Sequence, residues 1–353
     1  MRKSNLKFSG IFAMLVLLFI LAFAYAANAS EDQWQPPSLI VGASCNVTTP
    51  SYLSFSAIAT AVTDATGVEF RIIPEQGGPG RTQLLRGAAT FVSLTGEAHD
   101  VARGINAFEA FGPTDIKLIW NMGPVGQAFF VRADSDIYIP ADLKGKKVAS
   151  YPANPAGNQK VNGLLAFADL TWDDVTEIPF GSTDDGAKGV VSGAADVSYG
   201  SYLATYVYDL QASIHGLRWI QMSKEDTEGW ARFREVNPIL FYYNYNVEGI
   251  GVSEENPVEG FGFSYQLSTM ADTSDELAYW MTKQINETYD VHKDIYAYNK
   301  TCTLEQALKI ETWYTPWHPG SIQYFKDIGV WTDEHEAANQ KIVEEIDKIR
   351  QAD

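Results

Sequence analysis

A repeated alternation of short apolar runs with amphipathic stretches governs what this chain can fold into. Ser38 to Gly42 is an apolar run with turn residues beyond it, and Val68 to Ile73 and Phe91 to Leu94 are two more. Between them, Tyr52 to Thr66 places Leu53, Phe55, Ile58 and Val62 on one helical face, and Thr82 to Gly87 opens a second helix. Short apolar runs bounded by turn formers read as buried strands, and a 3.6-residue period reads as helix. Lys117 to Trp120 and Gln127 to Arg132 read as two further strands. A second series follows Asp134, with a short helix at Pro140–Leu143, strands at 147–150, 175–179 and 196–198, and helices at 157–167 and 185–192. Beyond residue 248 come strand and then helices, expected at Thr273–Ile285, Thr303–Trp313 and Glu334–Ile349. Successive βα units imply open, mostly parallel sheets covered by helices.

The N-terminus has the three-part layout of an export leader. Arg2, Lys3 and Lys7 are basic, Ile11 to about Ala26 is apolar, and Ala27-Asn28-Ala29 has the small-x-small form of a cleavage site. The apolar run is short for a membrane span, so removal of residues 1–29 is expected, leaving 324 residues in the periplasm. That length suits two lobes. The formal net charge is −18, and −21 without the three leader cations. A chain so acidic is a poor partner for nucleic acid or an anionic membrane. It also sets a requirement: an anionic ligand needs local cations that overcome the global field. Cys45 and Cys302 lie 257 positions apart. Export permits a disulfide, and spacing alone leaves open whether the two meet. No cysteine–histidine cluster has metal-ligand spacing, so neither metal nor cofactor is expected.

In open α/β sheets, ligands lie beyond the carboxyl ends of strands, where helix N-termini present free N–H groups. The loops that follow strands are therefore the candidate site. The first, Ala43 to Tyr52, is dense in small polar groups, with Ser44, Cys45, Asn46 and Thr48 as candidate contacts. A loop entering a helix needs capping groups in any case, so capping is the competing role. The second loop, Pro74 to Arg81, has glycines at 77, 78 and 80 that let backbone approach a ligand, and Gly78 is the candidate contact. Arg81 falls at the start of the next helix, where a cation opposes the helix dipole. A bound carboxylate reverses that local sign and suits the guanidinium fork. An ion pair with a carboxylate such as Glu75 does the same, and both readings stay open.

Thr95, with Glu97 just beyond it, follows the strand at Phe91–Leu94. Asn154 and Asn158 lie in the loop at 151–158, as ligand contacts or as caps. Tyr199 lies just past a later strand, 196–198, as a candidate cleft wall. The aromatic run Phe241 to Tyr245 suits an amphipathic wall, although for any one of these rings core packing is the commoner role.

Several segments resemble a known family. Val131-Arg132-Ala133-Asp134-Ser135 and Asp142-Leu143-Lys144-Gly145-Lys146-Lys147-Val148 are similar to segments of type II periplasmic binding proteins. Leu170-Thr171-Trp172-Asp173-Asp174-Val175 follows a "GLTWDDV" pattern, with Asp169 where the pattern has glycine. Glu228-Gly229-Trp230-Ala231-Arg232, Ser253-Glu254-Glu255-Asn256-Pro257, His318-Pro319-Gly320-Ser321-Ile322 and Ile328-Gly329-Val330-Trp331-Thr332 follow in order. Together they resemble the TAXI family, solute receptors of one class of TRAP transporters. The resemblance implies an α/β, two-lobed type II periplasmic binding protein-like fold, with a mixed, mostly parallel sheet in each lobe and a hinge between. It implies a small organic anion as ligand, a dicarboxylate, 2-oxo acid or acidic amino acid, delivered to an integral-membrane permease driven by an ion gradient. The lobes are expected at 30–132 with 250–353 and at 133–249. The first loop, Ala43 to Thr49, departs from the family's glycine-rich form.

Among the five histidines none has a partner motif, and no GxSxG, HExxH or phosphate loop is present. The chain is therefore expected to be a monomeric binding protein and not an enzyme, with His318 setting a turn. A ligand-sensing subunit for a signalling kinase, or the receptor of an ATP-driven importer, would share this fold and site.

Overall fold

The first alternation folds as β1 (Leu39–Ser44), α1 (Pro50–Thr66), β2 (Glu69–Pro74), α2 (Gly78–Gly87), β3 (Phe91–Leu94) and the short α3 (Ala98–Arg103). The structure is a computed structural model that describes residues 34–75, 77–246 and 248–352, so the expected leader lies outside the described residues. A long strand, β4 (Ile116–Arg132), leads to the second alternation: β5 (Lys147–Ser150), α4 (Pro155–Phe167), β6 (Thr176–Pro179), α5 (Thr183–Ser192), β7 (Val197–Ser201) and α6 (Thr205–Ala212). Then come β8 (Leu217–Trp219), α7 (Thr227–Val236), β9 (Phe241–Tyr245), the long β10 (Val258–Met270) and the C-terminal helices, among them Asp275–Glu287, Pro319–Asp327 and Asp333–Ala352.

Local chemistry explains where the site-bearing helices begin. Thr49 caps α1 by accepting from the Tyr52 N–H at 3.4 Å, and Asn154 caps α4 by accepting from the Gly157 N–H at 3.1 Å. Each is followed by a proline at the first helical position, where the missing N–H removes no helix bond. Ser182 caps α5 through the Asp185 N–H at 3.1 Å.

The strands follow the order β2-β1-β3-β10-β4-β7-β5-β6. From one end this reads β2-β1-β3, then the two long strands; from the other it reads β6-β5-β7, then the same two. Each alternation therefore builds the same half-sheet. Within each arm the pairs are parallel, and every pair made by β4 or β10 is antiparallel. The result is the mixed-sheet, two-lobed α/β architecture that the sequence predicts. The ladder is continuous through both halves because β4 and β10 belong to each.

Three expectations need correction. Lys117–Trp120 and Gln127–Arg132 are one strand, not two. The intervening Gly123-Pro124 looks like a turn, yet Gly123 carries the chain through at φ +85°, held by the Tyr298 hydroxyl donating to its carbonyl at 2.6 Å. The helix expected at Thr303–Trp313 is broken into Leu304–Ala307 and a single turn at Ile310–Thr312. There the Trp313 indole donates to the Ala307 carbonyl at 2.9 Å and the Asn121 amide to Thr312 Oγ1 at 2.5 Å, so side chains take the place of helix bonds. The Phe241–Tyr245 run is β9, paired to β10. It does not line the inner cavity described below.

The core lies between sheet and helices, with Phe55, Phe91, Trp120, Phe129, Phe130 and Phe261 among the fully buried side chains. Each contributes on the order of 2–3 kcal/mol through burial. His318 caps the helix at Pro319, accepting from the Gly320 N–H at 3.1 Å, while Nε2 bonds the Thr273 carbonyl at 3.0 Å. Cys45 and Cys302 are both free and buried. Burial pushes the Cys302 thiol up to about 12.

Candidate functional site

The strand ends converge on a cavity of ≈ 50 Å³. Cys45 follows β1, Thr95 and Glu97 follow β3, Asn154 follows β5, Thr183 follows β6, and Tyr199 lies in β7. The two long strands supply its back wall through Gln127, Phe263 and Tyr265. Three helices start at its edge: α1 with Ser51, α4 with Ala156 and α5 with Thr183. First-turn N–H groups have no acceptor within their own helix. They also carry the positive end of the helix dipole, which favours an anion.

The side-chain charges reinforce that sign. Arg81 is buried and paired with the buried Glu97. Thr95 donates its hydroxyl to the other Glu97 oxygen. Arg81 Nη1 also donates to the Glu75 carbonyl at 2.7 Å. Lys160 is the second buried cation on the cavity wall, 7% exposed. Its Nζ lies 4.4 Å from the centre of the Phe263 ring and 5.3 Å from that of Tyr199. Among the described residues no carboxylate pairs with it. Desolvation lowers its pKa to about 8, so it remains largely cationic at neutral pH. The cavity wall thus holds two cations against one carboxylate.

The remaining wall is neutral and polar. Burial raises the phenols of Tyr199 and Tyr265 well above their ordinary value and that of Tyr206 to about 12. All three stay protonated and able to donate. Gln127 Oε1 is buried without a hydrogen-bond partner, the kind of atom that a ligand or water satisfies.

Of the residues singled out from sequence, Cys45, Arg81, Thr95, Asn154 and Tyr199 line this cavity. Asn158 lines a larger adjoining cavity and accepts from the Tyr151 N–H at 2.9 Å. Ser44, Asn46, Thr48 and Gly78 are off the inner wall. Ser44 hydroxyl bonds Ser51 at 3.1 Å, which bonds Ser93 at 2.8 Å, a chain behind the first loop. The Asn46 carbonyl accepts from Thr49 Oγ1 at 2.6 Å, and Thr48 is half-buried beside it. Gly78 packs so closely on Phe108 that a Cβ would sit 3.0 Å from its ring.

Lys160 was not among the sequence candidates, and a signal for it exists. Gly157, Lys160, Val161 and Leu164 are among the buried positions of α4 and fall at helical spacing, so a lysine sits in an otherwise apolar stripe. A lysine there, near a helix N-terminus, opposes the dipole as Arg81 does.

Doubled half-sheets, two long shared strands and a polar cavity at the strand ends define a two-lobed solute-binding fold. Residues 48–329 match the NMT1-like family, and the chain belongs to that family, which is of the periplasmic binding protein type. None of the curated proteins compared matches the chain. Among solved structures, R. palustris Rpa4515 with adipate gives a TM-score of 0.53 at 12% identity, covering 89% of this chain and 97% of that one. An ancestral arginine-binding protein bound to arginine gives 0.48 at 16% identity, with 74% and 98% covered. The alkanesulfonate-binding protein SsuA from Xanthomonas axonopodis pv. citri bound to MOPS gives 0.46 at 14%, with 87% and 84% covered. The first likeness bears on fold alone. The fold is the two-lobed one of the periplasmic binding proteins. Among the described residues no helix is long and apolar enough to cross a membrane, and no three metal-ligating side chains cluster.

Proposed function

We propose that this chain is a monomeric extracytoplasmic receptor that captures a small organic acid and delivers it to an ion-gradient-driven TRAP permease. Its ligand lies between two lobes, residues 30–132 with 250–353 and residues 133–249. The observation that carries the ligand reading is the excess of positive charge in the inner cavity, where Lys160 and Arg81 face one carboxylate, Glu97. Three helix N-termini add to it. A buried ammonium without a carboxylate is expensive in the empty protein. An anion that enters relieves that expense, so its charge is recognised by the very group that destabilises the free receptor. The leader supports export, and the TAXI-like motifs support the permease as destination.

Thermal shift tests the ligand reading directly. Monocarboxylates, dicarboxylates, 2-oxo acids and amino acids are screened against neutral sugars and polyols. A ligand at several hundred times its dissociation constant stabilises the protein by about 3–4 kcal/mol. A screen in which only neutral solutes raise the melting temperature overturns the anion reading.

A further inference from the structure

The inner cavity opens onto a second one of ≈ 370 Å³, and Thr95, Glu97, Ala156 and Lys160 line both. One water-sized occupant needs about 10–15 Å³ of such space. The inner ≈ 50 Å³ therefore takes roughly three to five non-hydrogen atoms, a carboxylate with at most two further carbons. Anything longer extends past Lys160 into the outer cleft.

The outer cleft has a different chemistry. Phe108, Pro238, Ile239 and Leu240 give it an apolar wall, with amides such as Asn106 and Asn158 at intervals. Ile239 reaches across to Gly96, where a Cβ would sit 2.6 Å from the isoleucine Cδ1, so the missing side chain makes room for that wall. Its charges are equally one-sided. Among its described lining residues Lys160, at the neck, is the one cation, and Asp100 joins Glu97 as a second carboxylate. A second anionic group on the ligand would meet Asp100, whose oxygens are held by the His99 ring at 2.9 Å and the Asn106 amide at 3.0 Å, with no lysine or arginine among the described lining residues there to receive it.

We propose that the outer cleft is a tail subsite, and that the ligand is a monocarboxylate with an apolar chain of medium length. Its carboxylate sits against Lys160 and the helix N-termini, and its methylenes run along Phe108, Ile239 and Leu240. This rests on the reading of the inner cavity as an anion site. It selects against the dicarboxylates that the family resemblance also allows.

The test is calorimetric titration with acetate, butyrate, hexanoate and octanoate, and with adipate, which has the hexanoate skeleton and a second carboxylate. Affinity is expected to rise about fourfold per methylene from butyrate to octanoate, the gain from burying one CH₂. Hexanoate is expected to bind at least tenfold more tightly than adipate. Ile239→Ser should weaken hexanoate several-fold and leave acetate unchanged, and Asp100→Asn should narrow the hexanoate-to-adipate ratio. Affinity that is flat or falling beyond butyrate, or adipate binding as tightly as hexanoate, overturns the tail subsite and leaves the anion site standing. No heat with any carboxylate overturns both.

Discussion

Replacing Lys160 with methionine should make the empty protein more stable and abolish anion binding. The side chain is 7% exposed, and its pKa falls from 10.5 to about 8 because burial strips water from the ammonium. That difference corresponds to about 3 kcal/mol of destabilisation of the folded state. The Phe263 and Tyr199 faces return about 1–2 kcal/mol of it through cation–π attraction. Methionine has nearly the same length and makes its own sulfur–aromatic contacts. The net expectation is a gain of about 1–2 kcal/mol, or a melting temperature about 2–3 °C higher for a chain of this size. The sign with pH follows from linkage. Below pH 8 both folded and unfolded chains are protonated and the whole penalty is present. Between 8 and 10.5 the folded chain sheds its proton first, so the penalty fades as pH rises. Lys160→Met should erase that segment of the stability profile. Scanning calorimetry from pH 6 to 10, with and without the carboxylate giving the largest shift in the parent, reads all three effects. A variant that melts several degrees lower and still responds to the anion refutes the reasoning, because Lys160 would then be a structural cation.

Anion affinity should be nearly constant below pH 7 and fall about tenfold per unit above the Lys160 value of about 8, with proton uptake on binding seen by calorimetry in two buffers of different ionisation heat. Arg81→Ala should destabilise by about 3–5 kcal/mol, because it leaves the Glu97 carboxylate buried without its guanidinium; Glu97→Gln in the same chain should restore part of the urea midpoint. Gly123→Ala should cost about 2–3 kcal/mol with ligand affinity unchanged, because φ there is +85° and the new Cβ would lie 2.8 Å from the Thr301 carbonyl oxygen. The association rate of an anion, followed by tryptophan fluorescence, should rise with salt, because the net charge of −18 repels the ligand and is screened while the buried contact is not.

The repeating half of the fold was legible because its signals are local. β3 falls at Phe91–Leu94 as read, and α1 begins two residues ahead of the expected start because the Thr49 cap and Pro50 extend it. What failed was the middle of β4, where Gly123-Pro124 carries turn chemistry that tertiary contacts override. The site divides the same way. Arg81 was visible because a cation at a helix start contradicts its own element. Gln127, Phe263 and Tyr265 were not visible. A strand shows a period of two, and nothing in that period tells a cavity wall from a packed core. Their role follows from β4 and β10 crossing both halves.

On the proposed reading, that crossing also bears on how anion binding and closure would be linked. The Arg81–Glu97 pair belongs to the first half, and Lys160 with Tyr199 to the second, while Phe263 comes from the shared β10. An anion held by one half alone interacts with one cation and a helix end. Held between the halves it interacts with both cations and with N-termini from each. A ligand shifts a conformational equilibrium only by its difference in affinity for the two states. Here that difference is the interaction with the second cation, and Lys160 is the better placed to supply it. Arg81 is already compensated by Glu97, so its attraction for an anion is reduced in either state. Lys160 has aromatic faces and, among the described residues, no carboxylate, so an anionic ligand would complete its compensation. On the proposed reading, the acidic chain keeps a buried cation, with no carboxylate partner among the described residues, where a bound anion reaches it, and the expense of that buried charge would favour the liganded, closed state.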